Sequence, residues 1–222
     1  MSSSLSGGLV ARSKVRQLAS RFVAERPKER YNITASSEKR FLWYRVAKVG
    51  TRTIYNRLLE NEVELSIKQS FAYEFDPEEF RDYFKFAFVR NPWDRLVSCW
   101  LNKVVEFNRM KFSPEDHARM QDFAQFVDWV EREGIHGTNI HVRSQSSLID
   151  LNHCDFFGRM ENFEEDLQRV FARVDVHTKN RSVRNRSSNR KPYTDYYTSD
   201  LVDRVAELYS KDVQLFGYRF DG

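Results

Sequence analysis

The chain has 222 residues, of which 41% are hydrophobic, and this length suits one α/β core but leaves little room for a second. No run approaches the roughly 18 uninterrupted apolar residues of a transmembrane helix, so the sequence predicts no membrane span. The two cysteines, Cys99 and Cys154, provide no disulfide framework, which favours a reducing compartment. The net charge is +4, and it is unevenly placed along the chain.

The N-terminal residues 1–40 are predicted to form a basic extension, followed by a single domain at residues 41–222. The first 24 residues contain serines and basic residues, and no acid precedes Glu25. This composition superficially resembles a transit peptide, whereas a basic tail is the simpler interpretation.

Hydrophobic periodicity predicts alternating strands and helices, which is typical of an α/β fold. Strands are predicted at residues 41–46, 64–68, 84–89 and 154–158. Helices are predicted at residues 52–60, 93–107, 121–132, 161–174 and 198–215. Residues 108–120 and 175–197 are predicted to be loops, where ligand recognition and lid movement commonly occur.

A strand, a loop and a helix are predicted around residues 47–53, which read AKVGTRT. Such a turn aims free backbone N–H groups and the positive end of the helix dipole at one point, which suits an anion. Gly50 allows close approach of the backbone, Lys48 supplies a mobile positive charge, and Thr51 and Thr53 add hydroxyl donors. The segment is not a Walker A loop, because Lys48 precedes a single glycine.

A second segment with the same logic is residues 90–98, which read RNPWDRLVS and follow a predicted strand. Arg90 stands at the end of that strand, and Pro92 is placed to open a helix. Two anion sites on one chain imply a ligand with two separated phosphate-like groups.

Residues 47–53 resemble the 5′-phosphosulfate loop of the sulfotransferases that use 3′-phosphoadenosine 5′-phosphosulfate (PAPS), and residues 90–98 resemble their 3′-phosphate motif. Residues 156–163 (FFGRMENF) and 209–220 (YSKDVQLFGYRF) resemble two further segments of that family. The four segments occur in the family's order, and the resemblance is closest to the carbohydrate-type branch (sulfotransferase family 2) and its bacterial relatives.

This resemblance implies a three-layer, P-loop-kinase-like α/β fold in which helices flank a central, mostly parallel sheet. It implies transfer of a sulfuryl group from PAPS to a hydroxyl acceptor, a saccharide or a glycosylated small molecule. It requires no divalent metal, and the sequence offers no clear cluster of metal ligands.

The resemblance also implies roles for individual residues. The expected nucleotide contacts are Lys48, Val49, Gly50, Thr51, Arg52, Thr53, Arg90 and Ser98. Lys48 is expected to stabilise the leaving bridging oxygen, while Arg90 and Ser98 bind the 3′-phosphate. Arg52 either contacts the sulfuryl group or points outward. Met160 stands where relatives often have a tyrosine near adenine, and a thioether can also pack on a purine.

A base is needed to accept the proton of the acceptor hydroxyl. Cytosolic small-molecule sulfotransferases have a histidine between the two phosphate motifs, and this chain has none there. His141 ranks first, because it matches a His-x-x-x-Gln spacing of the carbohydrate-type branch and has a suitable pKa without large perturbation. Glu74 is the best carboxylate and ranks second, and His136 ranks third.

Residues 179–191 hold six cations and no acid. A solvated loop, a nucleic-acid patch and a loop that closes over the 3′-phosphate are all open interpretations, and the resemblance favours the last. Two other functions remain as alternatives. One is a P-loop-type nucleotide or small-molecule kinase, and the other is a non-catalytic nucleotide- or nucleic-acid-binding module.

The family's Golgi-type members carry an N-terminal membrane anchor, which is absent from this sequence. The resulting expectation is a cytoplasmic protein of bacterial or viral origin, unless the N-terminus is truncated or is a transit peptide. The expected partner is a hydroxyl-bearing acceptor, most simply a carbohydrate, and no nucleic-acid partner is expected.

Overall fold

The computed structural model describes residues 29–137, 139–177 and 191–221. The strands are β1 (Arg30–Ser36), β2 (Phe41–Tyr44), β3 (Ile67–Glu74), β4 (Phe84–Val89) and β5 (Phe156–Arg159). The α-helices are α1 (Thr51–Glu60), α2 (Pro92–Trp100), α3 (Pro114–Arg119), α4 (Phe123–Glu133), α5 (Phe163–Arg173), α6 (Ser199–Leu208) and α7 (Ser210–Phe216). A π-helical turn (Leu101–Val105) continues α2, and 3₁₀ turns occupy Gln145–Leu148, Met160–Asn162 and Tyr193–Tyr196.

The strands form one mixed sheet, flanked by helices, in the order β3-β1-β2-β4-β5. β2, β4 and β5 are parallel neighbours, whereas β1 is antiparallel to both β2 and β3. The prediction of a mostly parallel sheet is therefore right for β2, β4 and β5 and wrong for the pairings of β1. The short β1–β2 connection explains this, because a parallel pairing needs a long crossover such as the one that contains α1.

Both faces of the central strands are covered, since every residue of β2 is buried. On one face, Trp43 stacks on Phe86 with ring centroids 6.1 Å apart. Phe88 contacts Phe163 at the start of α5 on the same side, with centroids 5.4 Å apart. On the other face, Tyr44 meets Tyr31 edge-on at 5.3 Å. The parallel strands are thus held rigidly, with their carboxyl ends at one edge of the sheet.

Local signals explain the helices that border the site. Asn91 caps α2 by accepting hydrogen bonds from the N–H groups of Trp93 and Asp94, and Pro92 occupies the first turn. Asp122 caps α4 in the same way. Phe123, Phe126, Val127 and Val130 recur at helical spacing along one face of α4, and all four are buried.

Several elements differ from the predictions. β1 lies within the range assigned to the N-terminal extension, and its residues 31, 33 and 35 face the core. β3 lies mostly beyond the predicted strand at 64–68, because this edge strand is largely exposed and lacks an apolar pattern. The predicted loop at 108–120 contains α3, and the predicted helix at 198–215 is divided at Tyr209 into α6 and α7.

The predictions for residues 1–28 and for the basic run up to residue 190 lie outside the described residues. Among the helices of the described ranges, none combines the length and apolar composition needed to cross a membrane.

Candidate active site

A cavity of about 900 Å³ lies at the carboxyl ends of β2 and β4. This is the edge at which open α/β sheets ordinarily bind ligands. The predicted residues Lys48, Gly50, Thr51, Arg52, Thr53, Arg90, Ser98 and His141 all line it. The structure therefore brings together the two predicted anion-binding segments, residues 47–53 and 90–98 (the phosphate-type segments), and His141, the first-ranked candidate for the base. Val49 is fully buried in the core, so it can offer a ligand only its backbone.

Gly50 forms the sharp turn between β2 and α1. Its φ is +75°, and a Cβ added there would lie 2.8 Å from a ring carbon of Phe163, so both backbone conformation and space require glycine. Among the described residues, no side chain caps α1 and no acid lies in its first turn. The first-turn N–H groups and the positive end of this ten-residue helix therefore remain available for an anion at the cavity.

Lys48 precedes this turn and also has a left-handed backbone, with φ of 72°. Its Nζ donates to Asn102 Oδ1 at 3.1 Å, and Asn102 Nδ2 donates to Glu106 Oε2 at 3.0 Å. Asn102, a neutral amide, thus orients the Lys48 ammonium in the cavity. Thr51 Oγ1 donates to the carbonyl of Val46 at 2.7 Å, which fixes the loop and leaves the hydroxyl oxygen able to accept.

Arg90 connects the two phosphate-type segments. Its guanidinium donates to Asp94 Oδ2 at 2.7 Å and to the carbonyl of Lys48 at 3.2 Å. The Gln145 side chain exchanges two hydrogen bonds with the Arg90 backbone, accepting from its N–H and donating to its carbonyl. Ser98 lies two turns further along α2, on the same cavity wall. Gln145 therefore holds the Arg90 backbone, while Asp94 and the Lys48 carbonyl hold its guanidinium.

Arg95, the second arginine of the 90–98 segment, is buried and positions the His141 loop. It donates to the carbonyls of Ala47, Arg143 and Ile140 at 3.0, 2.8 and 3.3 Å. Burial lowers the pKa of its guanidinium, and the three carbonyl oxygens compensate for the lost hydration of the charge. One side chain thus joins α2, the loop before α1 and the loop that carries His141.

His141 lies in the cavity in a strongly cationic setting. Burial, and then the charges of Lys103, Lys48 and nearby guanidinium groups, lower its pKa from 6.5 to about 4. Its Nδ1 atom is buried and has no hydrogen-bond partner in the described parts of the chain. The expectation of an unperturbed histidine pKa is therefore wrong. The imidazole is neutral at pH 7, which is the form that accepts a proton.

The other two base candidates lie elsewhere. Glu74 ends β3, is half exposed, and forms an ion pair with Arg30 at 2.6 Å. His136 is exposed in a turn. Neither lines the cavity that contains Lys48 and His141. Glu74 precedes β4 in sequence, but β1 and β2 lie between β3 and β4 in the sheet, so Glu74 is far from the end of β4.

The structure adds cavity residues that the motifs did not reveal. These are Asn32, Arg45, Phe71, Asn102, Lys103, Glu106 and Tyr196. Asn102, Lys103 and Glu106 lie in or just after the π-helical turn and fall within the helix predicted at residues 93–107, but no ligand contact was predicted there beyond Ser98. The residues from β1, the end of β2 and β3 carry no sequence signal that links them to the site.

The two C-terminal segments, residues 156–163 and 209–220, form hydrogen bonds to the loops that line the cavity. Glu161 accepts hydrogen bonds from the Asn91 backbone at 2.7 Å and from the Tyr218 hydroxyl at 3.1 Å, which holds the start of α2. Asp212 accepts from the backbone N–H groups of Gln145 and Ser146 at 2.6 and 2.9 Å. Tyr209 donates to the carbonyl of Val142 at 2.6 Å. These motifs fix the loops that present Arg90 and His141.

The charge of the cavity favours an anionic ligand. The described residues that line it include five cations and one acid, namely Arg45, Lys48, Arg52, Arg90, Lys103 and Glu106. Such a lining concentrates positive potential in a concave, partly dehydrated space. Within the described ranges, no group of three or more potential metal ligands is found.

Comparison with known proteins finds relatives among the carbohydrate sulfotransferases. Carbohydrate sulfotransferase 14 of Danio rerio is 28% identical over an alignment of 231 positions, and the alignment covers 84% of this chain and 62% of that protein. Carbohydrate sulfotransferase 14 of Mus musculus is 28% identical over an alignment of 175 positions, and the alignment covers 64% of this chain and 46% of that protein. The chain thus spans about half to three-fifths of the length of these curated relatives. No solved structure matches the chain.

These relatives correct one prediction and confirm another. The expectation of a bacterial or viral cytoplasmic protein is wrong, because the matching relatives, including one from Homo sapiens at 26% identity, are vertebrate proteins. The predicted resemblance to the carbohydrate-type branch is confirmed by their names. A family model described as "Sulfotransferase family" matches residues 31–219, and the chain therefore belongs to the sulfotransferase family.

Proposed function

We propose that this protein transfers a sulfuryl group from PAPS to a hydroxyl group of a carbohydrate acceptor. The observation that carries the proposal is the convergence of Lys48, Arg90 and His141 on one cationic cavity. Family membership supports the donor, and the names of the relatives support a carbohydrate acceptor.

The donor would span the two phosphate-type segments. The N–H groups at the start of α1, with the hydroxyls of Thr51 and Thr53, suit the 5′-phosphate. Arg90 and Ser98 suit the 3′-phosphate, with Asp94 giving up part of its contact to Arg90 when the phosphate enters. Arg52 lines the cavity, which favours contact with the sulfuryl group over an outward position.

The reaction would be an in-line displacement at sulfur. The acceptor hydroxyl oxygen forms a bond to sulfur while the bond from sulfur to the 5′-phosphate oxygen breaks. The electron pair stays on that oxygen, and 3′,5′-bisphosphoadenosine leaves. Lys48 would stabilise the charge that develops there, and the hydroxyl proton would pass to neutral His141. Negative charge on the bound donor would also raise the pKa of His141, improving it as a base.

The overall plan proposed for this domain is a three-layer, P-loop-kinase-like fold. Three features support it: the parallel β2, β4 and β5 strands, the glycine turn between β2 and α1, and the coverage of both faces of the central strands. The domain would begin at β1 rather than at residue 41, since β1 pairs with both β2 and β3.

Calorimetry tests the donor site directly. We expect 3′,5′-bisphosphoadenosine to bind without magnesium, more tightly than adenosine 5′-phosphate, because only the former has the second anion. Magnesium-dependent binding of ATP would instead indicate the kinase alternative. Salt-sensitive binding of an oligonucleotide, with no preference for the bisphosphate, would indicate the binding module.

A transfer assay tests the activity. Radiolabelled PAPS and a panel of soluble glycosides should give labelled saccharide. Lys48→Ala should lower kcat by about two orders of magnitude or more, while bisphosphoadenosine binding weakens less, because the charge matters most in the transition state. Lys68→Ala, which removes an exposed lysine outside the cavity, is the control. Unchanged turnover in the Lys48 variant would remove this residue from the proposed role.

A further inference from the structure

One part of the cavity, here called its arm, lies beside β1 and β3 and is not used by the proposed donor site. Its wall contains Phe71 from the edge strand β3, and 67% of this phenylalanine is exposed to solvent. A large aromatic side chain left exposed in a ligand cavity has no role in core packing. The ring therefore offers an apolar surface to whatever enters this arm.

Arg45 lies against this ring and supplies hydrogen-bond donors. Its guanidinium carbon is 4.9 Å from the ring centroid of Phe71, and its Nη2 donates to the carbonyl of Ser70 at 2.7 Å. Arg45 is only 8% exposed, burial lowers its pKa, and its Nε has no hydrogen-bond partner within the described residues. A buried, incompletely satisfied arginine beside a cavity suits a ligand rich in oxygen atoms.

Asn32 completes this arm from β1. The N–H of Ala72 donates to Asn32 Oδ1 at 3.0 Å, at a point where Ala72 has a φ of 51° and the β1–β3 register shifts. This bond holds the strand irregularity that displays Phe71, and the Asn32 amide still has N–H groups for the cavity. Asn32 on β1, Phe71 on β3 and Arg45 directly after β2 thus surround one space with a flat ring and polar donors.

Sheet order separates this arm from the donor side. β3 and β1 lie on one side of β2, while Arg90 follows β4 and Met160 follows β5 on the other side. Lys48, at the end of β2, stands between the two sides. At about 4.8 Å per strand, β3 lies about 10 Å from β2. A ligand bound on Phe71 would therefore reach Lys48 from the side opposite the nucleotide, as an in-line acceptor must.

We propose that Phe71, Arg45 and Asn32 form the acceptor subsite, in which a pyranose ring of the acceptor stacks on the free face of Phe71. The C–H groups of a sugar carry partial positive charge and suit the negative face of an aromatic ring. Arg45 and Asn32 donate hydrogen bonds to its hydroxyl or carboxylate oxygens. This inference rests on the proposed function, because it assigns the acceptor side of the same cavity.

Variants of Phe71 test the subsite, with methyl pyranosides and β-linked disaccharides as the acceptor panel. For the best acceptor of that panel, Phe71→Ala should lower kcat/KM by about three- to tenfold, mainly through KM. Phe71→Trp should keep the wild-type kcat/KM, whereas Phe71→Leu should show the same loss of about three- to tenfold as Phe71→Ala, because leucine is apolar but has no ring face. Phe107→Ala is the matched control: Phe107 is also exposed and has an arginine over its ring, but it lies outside the cavity lining.

Full activity of Phe71→Leu, or an equal loss in Phe107→Ala, would overturn the subsite. A second measurement does not depend on turnover. Saturation-transfer NMR with the same glycosides and bound 3′,5′-bisphosphoadenosine should show saccharide contact in the wild type and lose it in Phe71→Ala. If the wild type does not bind 3′,5′-bisphosphoadenosine, the proposed function is refuted. Intact nucleotide binding with glycoside contact unchanged in Phe71→Ala would refute only the subsite.

Discussion

Removing the Lys103 charge should raise the pKa of His141, but only part of the way. The pKa falls from 6.5 to about 4, and burial is the largest cause, followed by Lys103 and then by the other cations. This gap of about 2.5 pH units corresponds to roughly 3 kcal/mol between the two protonation states. Because burial outweighs Lys103, the lysine can account for at most half of the gap. The pKa of His141 in Lys103→Ala should therefore rise above about 4, by no more than half of the gap to 6.5.

An NMR titration of the His141 ring protons measures this value in the wild type and in Lys103→Ala. Lys68→Ala removes an exposed lysine outside the cavity and should leave the titration unchanged. Saturating 3′,5′-bisphosphoadenosine should raise the pKa in the wild type, because phosphate charge favours the imidazolium. In the nucleotide-free Lys103 variant, a return to 6.5 would show that burial contributes nothing. No movement would show that Lys103 does not act on His141.

Three further predictions concern the phosphate loops and the base. Arg90→Ala should weaken bisphosphoadenosine binding by about 1.5–3 kcal/mol, measured by calorimetry, and leave adenosine 5′-phosphosulfate binding nearly unchanged; equal losses would place the 3′-phosphate elsewhere. Gly50→Ala should lower the free energy of unfolding by more than Gly217→Ala does. Gly217 also has a positive φ but open space at its Cβ, so its variant carries only the roughly 1–2 kcal/mol backbone cost. His141→Ala should abolish transfer with nucleotide affinity kept, whereas Glu74→Gln should remain active; the reverse result would make Glu74 the base.

The parallel half of the fold follows closely from the sequence. β4 has the predicted bounds because a strand buried on both faces gives a nearly continuous apolar run, interrupted in β4 by Lys85. The turn between β2 and α1 follows from the sequence because Gly50 stands between a strand-like run and a helix-like run, and the structure adds that its φ is positive. Both features depend on residues that are close together in the chain.

The antiparallel half could not be predicted in the same way. β3 is an edge strand whose exposed residues show no hydrophobic pattern, so its bounds depend on pairing with β1.

The surroundings of His141 could not be predicted from the sequence either. Its position depends on hydrogen bonds from Arg95 to the carbonyls of Ile140 and Arg143, which lie 45 and 48 residues away in the chain. The pKa of His141 likewise depends on cations from separate elements. Such features arise only when the chain is folded.

The π-helical turn after α2 links the two halves of the site. α2 carries Ser98, a proposed 3′-phosphate contact, and its continuation carries Asn102, which accepts a hydrogen bond from Lys48. A neutral amide binds an ammonium more weakly than an oxygen with developing charge does. Asn102 can therefore hold Lys48 in position while the cavity is open to solvent and release it when the bridging oxygen becomes negative. π-Helical turns frequently occur at functional sites, and here the turn places the Asn102 amide about one helical turn beyond Ser98, in the proposed nucleotide-binding segment.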